Sequence, residues 1–133
     1  MRGERVAKYV GKVFRVDNKT LKLKGSAMHY VHVIWYNPFT RRFKCRIITS
    51  LENRKFLGEN KRVLGSTPYH KNEDGSYSFF EKQKYSKIRD GKIEPISVKK
   101  STGFDTWHGY EGTRYLHVRN LKGKEQKYLS IKK

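Results

Sequence analysis

The sequence predicts a mainly β protein: a small, strongly curved antiparallel sheet or barrel with at most one or two short helices. Three observations indicate this class. Short segments rich in β-branched and aromatic residues recur along the chain, Asn-Pro and Asp-Gly turn signals separate them, and helix signals are few. Many short strands at this spacing are typical of a curved sheet or barrel. A helix-flanked antiparallel sheet is the alternative architecture.

Three segments predict the first strands. Residues 42–49 alternate apolar and polar side chains, as strands covered on one face do, and residues 11–17 offer Val13 and Val16 to a core. Residues 29–36 are apolar on both faces, which indicates a central strand. Asn37 and Pro38 form a turn signal between the last two segments. We therefore expect residues 29–36 and 42–49 to pair as a β-hairpin.

The strand at 42–49 is predicted to have one apolar and one cationic face. Its Cys45 is the only cysteine of the chain and falls on the apolar face, so we interpret it as a core residue and not as a reactive thiol. One cysteine excludes the zinc sites built on paired thiolates, and the five His lack ligand spacing. The sequence predicts no metal and no cofactor. The apolar face carries Phe43, Cys45, Ile47 and Thr49, and the other face carries Arg42, Lys44, Arg46 and Ile48.

The second half of the chain predicts further short strands. Asp-Gly pairs at 74–75 and 90–91 mark two turns. Residues 51–65 hold the clearest helix signal, with an end at Gly58 or Gly65. We expect strands at 77–80, at 115–118 and at 128–131, with a turn near Gly123 between the last two.

Length and composition indicate one folded domain. The 133 residues match the size of a single domain. Nine Tyr, seven Phe and two Trp argue against disorder, because disordered chains are poor in aromatic residues. No apolar run approaches the about 18 residues of a membrane-spanning helix, and the N-terminus lacks the apolar core of a secretory signal. We expect residues 1–133 to form a single basic domain in the cytoplasm, with no membrane partner.

The charge of the chain points to a polyanionic partner. Lys and Arg number 31 against 12 Asp and Glu, which gives a net charge of +19. Solubility of a small domain requires a net charge with a magnitude of only about 2–8. Because such a chain repels itself, the excess is best explained by a polyanion, with nucleic acid first and an anionic membrane second. No amphipathic basic helix is evident, which favours nucleic acid.

Basic side chains in aromatic company are the candidate contacts. Lys and Arg neutralise phosphates, and aromatic faces stack on exposed bases, so the combination suits a single strand. The alternative is that the aromatic residues form the core and the basic residues a solvated rim. Trp107, in a predicted glycine-rich loop at 101–112, either offers a stacking or protein-binding surface or closes the end of a barrel. The candidate residues are Arg41, Arg42, Lys44, Ser50, Lys84, Lys87, Arg89, Trp107, Arg114 and Arg119.

Three consecutive segments, GKVFRVD, HYVHVIWYN and FKCRIITS, resemble in their order the first strands of the MazF/PemK-like toxin family. The resemblance covers residues 11–51, and the sequence IITS at 47–50 falls on the family's strand end with its Thr-Ser motif. It implies a metal-independent endoribonuclease acting on single-stranded RNA, a homodimer, and an acidic antitoxin protein as partner. His29 stands where the family carries its catalytic Arg, and Tyr30 stands where it carries Pro.

RNA chemistry and this resemblance together suggest a catalytic set. RNA supplies its own nucleophile, the 2′-hydroxyl, so cleavage needs a proton acceptor, a cation for the phosphorane and an acid for the leaving oxygen. His29 is the candidate acid or base, and Arg46 or Arg42 is the candidate cation. Thr49, with Ser50, is the candidate phosphate-holding group. Alternation places Thr49 and Arg46 on opposite faces of the strand. The catalytic set therefore requires a twist or bulge at the strand end.

The competing hypothesis is a non-catalytic nucleic-acid-binding module of a phage, plasmid or ribonucleoprotein, in which the sheet is a basic platform. RNA is expected in preference to DNA in both cases. Cleavage products with 2′,3′-cyclic phosphate favour the first hypothesis, and intact RNA in a complex favours the second.

Overall fold

The computed structural model describes residues 6–50, 63–64, 72–80, 87–89, 92–94 and 108–132. Within them the protein is mainly β, with antiparallel strand pairs and two one-turn helices, which confirms the mainly β class with few short helices. None of the described helices is long and apolar enough to cross a membrane. In chain order the elements are β1 (Val13–Asp17), α1 (Asn18–Leu21), β2 (Met28–Asn37), β3 (Arg42–Ser50), β4 (Val63–Leu64), β5 (Tyr77–Phe80), β6 (Lys87–Arg89), β7 (Lys92–Glu94), β8 (His108–Leu116), α2 (Val118–Leu121) and β9 (Leu129–Lys132).

The chain divides into two compact units. The first contains Met1–Ile48 and Glu111–Leu129, and the second contains Thr49–Tyr110 and Ser130–Lys133. The expectation that residues 1–133 form one domain concerns cooperative folding, which this division does not test. It stays a prediction.

The sheet of the first unit has the order β1-β2-β3-β8. β2 pairs antiparallel with β1 on one side and with β3 on the other, which confirms both the central strand and the hairpin. The β2–β3 register runs without a shift from Tyr30 opposite Ile48 to Val33 opposite Cys45. This register determines which hairpin side chains share a face.

The middle of the core face of the hairpin is completely buried. Val31, Val33, Cys45 and Ile47 have no exposed surface, and Cys45 and Ile47 lie on the apolar face that the alternation of β3 predicts. Each such aliphatic side chain stabilises the fold by about 1.5–3 kcal/mol through burial. The core cluster consists of Phe14, Val16, Leu21, Val31, Val33, Phe43, Cys45, Ile47, Leu116 and Leu121.

A β-bulge lies in β2 near the turn. The register shifts between Val33 and Trp35, so that Ile34 has no residue opposite it. An extra residue in one strand exchanges the two faces beyond it, because side chains alternate with period two. Beyond the bulge Tyr36 therefore packs on Phe43 in the core, with ring centroids 4.8 Å apart. Trp35 falls on the outer face instead.

The hairpin turn follows from Asn37 and Pro38, as predicted. The side-chain Oδ1 of Asn37 accepts a hydrogen bond from the backbone N of Phe39 at 2.9 Å. The backbone carbonyl of Asn37 accepts one from the backbone N of Arg41 at 2.8 Å. Pro presets the φ that the first turn position needs. Arg41 closes the loop with a φ of +59°, in the left-handed region.

The second unit contains three short strand pairs. β5 follows the predicted Asp-Gly turn, in which Gly75 has a φ of +87°, and it forms a two-stranded sheet with β9. β6 and β7 pair antiparallel on either side of the predicted turn at 90–91, which lies outside the described residues. Val63 and Leu64 form β4, opposite Gly109 and His108 of β8. A helix that reaches Gly65 is therefore wrong, and one ending at Gly58 lies outside the described residues.

Two sequence expectations near β8 are wrong. His108–Gly112 belong to β8, although they were expected in a loop with Trp107. The strand expected at 115–118 ends at Leu116, because His117 caps α2: the Asn120 side chain accepts from the His117 backbone N at 3.0 Å. This local side-chain bond overrides the alternation pattern. The turn at Gly123 and the final strand follow as predicted.

Candidate nucleic-acid interface

The turn end of the hairpin exposes two large aromatic side chains. We call residues 35–44 the hairpin tip. Trp35 is 52% exposed and Phe39 is 94% exposed. Large exposed aromatic rings are common at interaction sites, since leaving them in water forfeits the gain of burial.

Three cationic residues accompany these rings. Arg41 and Arg42 are exposed and Lys44 is half-buried. Lys44 lies directly opposite Trp35 on the outer face of the hairpin, and Arg42 lies opposite Asn37. Among the residues that the structure describes, no ion pair involves these three cations. From residue 18 to residue 51 the sequence has seven Lys or Arg and neither Asp nor Glu.

Arg41 occupies a backbone conformation that favours glycine. For a residue with a side chain the left-handed region costs roughly 1–2 kcal/mol. Glycine adopts it without this cost, yet Arg41 stands here with its side chain in solvent. A strained residue at an exposed turn is a reason to look for function, because such strain accumulates at binding sites.

A second cluster lies at the opposite end of the hairpin, where β2 begins. Asn18, buried to 3% exposure, accepts with Oδ1 from Nδ1 of His29 at 2.6 Å and donates with Nδ2 to the Lys24 carbonyl at 2.8 Å. A carbonyl only accepts, which fixes the orientation of the amide. His29 therefore carries its proton on Nδ1, and in the neutral ring Nε2 holds the lone pair.

Local backbone bonds hold Asn18 in place. Its N donates to the Ala27 carbonyl at 2.9 Å, and its carbonyl accepts from the N of Leu23 at 2.8 Å. At the start of α1 the Thr20 hydroxyl donates to Oδ1 of Asp17 at 2.6 Å, and this bond lowers the pKa of that carboxyl. The loop after α1 is thus folded around the amide.

Nε2 of His29 faces a carboxylate. It lies 3.7 Å from Oε2 of Glu111, with the His29 side chain 20% exposed and that of Glu111 40% exposed. Protonation of Nε2 creates an ion pair there, and the neutral ring presents its lone pair. A histidine oriented by one group, with its second nitrogen accessible, is the arrangement that acid–base catalysis uses.

The structure does not bring Arg46 and His29 together. Arg46 pairs with His32, whereas His29 pairs with Val16 on the core face. Because the register between these pairs is continuous, the two side chains start from opposite faces of the sheet. Thr49 is half-buried near the end of β3 and belongs to the second unit. The catalytic roles of the three residues stay predictions.

The other predicted contacts have different positions. Arg114 is engaged within the protein: its Nε donates to the Leu21 carbonyl at 2.6 Å and an Nη donates to the Thr113 carbonyl at 2.8 Å. Arg119 is exposed on α2. Of β6 and β3 the structure gives the backbone of Lys87, Arg89 and Ser50, and Lys84 and Trp107 lie outside the described residues.

Four residues of these two clusters escaped sequence reasoning. The turn signal at Asn37 and Pro38 was sufficient to place Phe39 at an exposed tip. Trp35 required knowledge of the bulge, which leaves no local signal. Asn18 and Glu111 are brought to His29 by the sheet and the α1 loop, and no spacing in the sequence indicates either contact.

No family model, no curated protein and no solved structure matches the chain. The resemblance of residues 11–51 to the MazF/PemK-like family therefore stays a prediction. Within the described part of the chain no group of three His, Cys, Asp or Glu is placed to hold a metal ion.

Proposed function

We propose that the protein binds single-stranded nucleic acid, RNA in preference to DNA, through the hairpin tip. The observation that carries the proposal is the exposure of Trp35 and Phe39 beside three cations without a carboxylate partner in the described structure. The net charge of +19 supplies the long-range attraction.

The two kinds of side chain serve different parts of a nucleotide. Stacking of a base on an aromatic side chain contributes about 1–3 kcal/mol and is open only to unpaired bases. Arg and Lys neutralise phosphates and release counterions. RNA is the preferred ligand because protein recognition of splayed, stacked bases is characteristic of single-stranded RNA. The strain at Arg41 is consistent with a guanidinium retained for this contact.

The test is the affinity of a labelled single-stranded RNA for three variants, measured by fluorescence anisotropy at low salt. We expect Trp35→Ala and Phe39→Ala each to weaken binding by about fivefold to 150-fold. Tyr115, 54% exposed in β8, is the matched control, and Tyr115→Ala should change affinity less than twofold. Equal losses in all three variants would exclude the hairpin tip as the interface.

A second candidate function is metal-independent cleavage of RNA, favoured by the geometry of His29. Asn18 fixes its tautomer and Glu111 faces the other nitrogen. In this proposal His29 exchanges a proton with the RNA and Thr49 keeps the role that the sequence suggests. Arg46, whose side chain starts from the opposite face of the sheet, contacts the strand outside the catalytic set. Incubation with RNA and a chelator, followed by end analysis of the products, tests it. Intact RNA would exclude it and leave a binding module of a phage, plasmid or ribonucleoprotein.

Several finer expectations belong to the same proposal. The sheet is strongly curved or closed into a barrel, and the protein acts in the cytoplasm. The resemblance to the toxin family further implies a homodimer and an acidic antitoxin protein. This partner competes with nucleic acid for the basic surface. Chromatography with light scattering tests the dimer.

A further inference from the structure

We propose that a cleft at the edge of β1 binds one nucleotide of the bound strand and selects guanine. This inference rests on the proposed nucleic-acid binding and extends it to a second site. The cleft has a volume of about 350 Å³. Its lining residues are Lys8, Tyr9, Phe14, Gly123, Glu125 and Lys127.

The aromatic wall of the cleft is rigid. The ring of Tyr9 stacks on that of Phe14 at 5.6 Å with an angle of 22° between planes, and it packs against Phe43 at 5.3 Å. Phe14 is buried, while Tyr9 is half-buried and keeps part of its surface toward the cleft. A base that packs on this ring does so without the loss of side-chain freedom that a mobile ring imposes.

The backbone fixes the segment that brings Glu125 to the cleft. Glu125 forms a β-bridge with Phe14, and the N of Gln126 donates to the Val13 carbonyl at 2.8 Å. Just before it, the N of Arg15 donates to the Lys124 carbonyl at 3.0 Å. The segment that carries Glu125 therefore follows the edge of β1 and holds its carboxylate at the cleft.

The charges of the cleft match a nucleotide. Lys8 and Lys127 are exposed, and neither takes part in an ion pair within the described ranges, so both are able to contact a phosphate. Nζ of Lys12 lies 3.8 Å from Oε1 of Glu125 at the surface. Such an exposed pair contributes little and does not prevent the carboxylate from accepting hydrogen bonds.

The volume of the cleft and the carboxylate of Glu125 together indicate which ligand fits. Ligand pockets commonly have volumes of about 300–1,000 Å³, so this cleft suits one nucleotide and no larger group. A carboxylate only accepts hydrogen bonds. Guanine presents two adjacent donors, N1–H and the 2-amino group, on its Watson–Crick edge, whereas the other bases place an acceptor beside a donor there. Glu125 can therefore bind guanine through two hydrogen bonds and the other bases through one.

The experiment is an NMR titration of the full chain with GMP, IMP and UMP, followed by the amide signals of Tyr9 and Gly123. IMP is the matched control ligand, because it lacks only the 2-amino group of GMP. We expect GMP to bind about fivefold or more tightly than IMP, the scale of a lost bidentate contact, and Glu125→Gln to remove this preference. Lys127→Gln should weaken all three nucleotides alike, by about threefold to tenfold.

The proposal is overturned if GMP shifts neither signal, if GMP and IMP bind equally, or if Glu125→Gln keeps the preference. A melting temperature equal to that of the wild type shows that each variant is folded. The tip variants separate this inference from the proposed function: Trp35→Ala should weaken the RNA strand and leave GMP binding unchanged. Failure with GMP alone refutes the cleft, and failure of strand binding at low salt refutes both.

Discussion

The two ends of the β2–β3 hairpin hold their side chains in different ways. At the tip, Trp35 and Phe39 project into solvent beside cations. At the base, His29 is bonded to a buried amide and faces Glu111 across 3.7 Å. The aromatic side chains at the tip are exposed to solvent, whereas the His29 side chain at the other end of the hairpin is held by a hydrogen bond.

This difference indicates what each end is suited to do. Every nucleotide offers a π-face and a phosphate, so a surface that binds any strand needs no fixed tautomer. Proton transfer requires a donor and an acceptor within hydrogen-bond reach, in a known protonation state. Binding and chemistry, if both occur, should therefore respond to different substitutions.

The largest expected effect is unfolding, which would abolish the sites at both ends of the hairpin. Ile47→Asp should unfold the first unit, because an unpaired carboxylate in the core costs several kcal/mol. Circular dichroism during thermal unfolding measures it. Ile47→Val is the control and should cost only about 0.5–1.5 kcal/mol. A wild-type melting temperature in the Asp variant would show that the faces assigned to β3 are wrong.

The next effect concerns salt. If six or more phosphates are engaged, affinity for single-stranded RNA should fall by about 300-fold or more between 50 and 200 mM salt. A triple variant of the tip should lower the slope of log K against log salt by about 2, since each lost phosphate contact removes about 0.7. A control variant with the same change in charge should leave the slope nearly unchanged, and equal slopes would show that the attraction is not localised. The tip variant replaces Arg41, Arg42 and Lys44 by Gln, and the control replaces Lys19, Lys22 and Lys24.

The base of the hairpin should affect turnover selectively. If RNA is cleaved, His29→Ala and Thr49→Ala should each reduce the rate by about 10²-fold or more, with affinity almost unchanged, because the tip still holds the strand. His117→Ala is the control histidine: it keeps the backbone N that donates to the Asn120 side chain, so it should change stability by less than about 0.5 kcal/mol and leave the rate unaffected. Loss of binding and stability together, with no selective loss of rate, would refute the catalytic role.

The smallest effect is at Arg41, where strain and charge act in opposite directions. Arg41→Gly should stabilise the protein by up to about 1 kcal/mol, since glycine adopts the left-handed conformation freely. The same change should weaken RNA binding by about threefold to tenfold through the lost guanidinium. Denaturant unfolding and anisotropy measure the two. Arg41→Asn tolerates the backbone and lacks the charge, so an unchanged affinity there would show that this guanidinium has no role.

The sequence was sufficient for the parts of the fold that local rules govern. Period-two alternation placed Cys45 and Ile47 in the core, and the Asn37 signal placed the turn. It failed where a distant or irregular contact decides the outcome. The bulge at Ile34 exchanges two faces without any change in composition, and Glu111 reaches His29 only through the fold.

Alkylation of Cys45 offers a way to measure the rate at which the hairpin opens. Burial raises the pKa of its thiol to about 12, and Sγ lies 3.5 Å from the Phe43 carbonyl in the closed core. Alkylation requires the thiolate, so iodoacetamide reacts only with molecules in which the hairpin has separated transiently. As the only cysteine of the chain, it gives a single modification whose half-time at neutral pH reports that event. A bound strand should lengthen this half-time, because any ligand of the closed state lowers the population that opens.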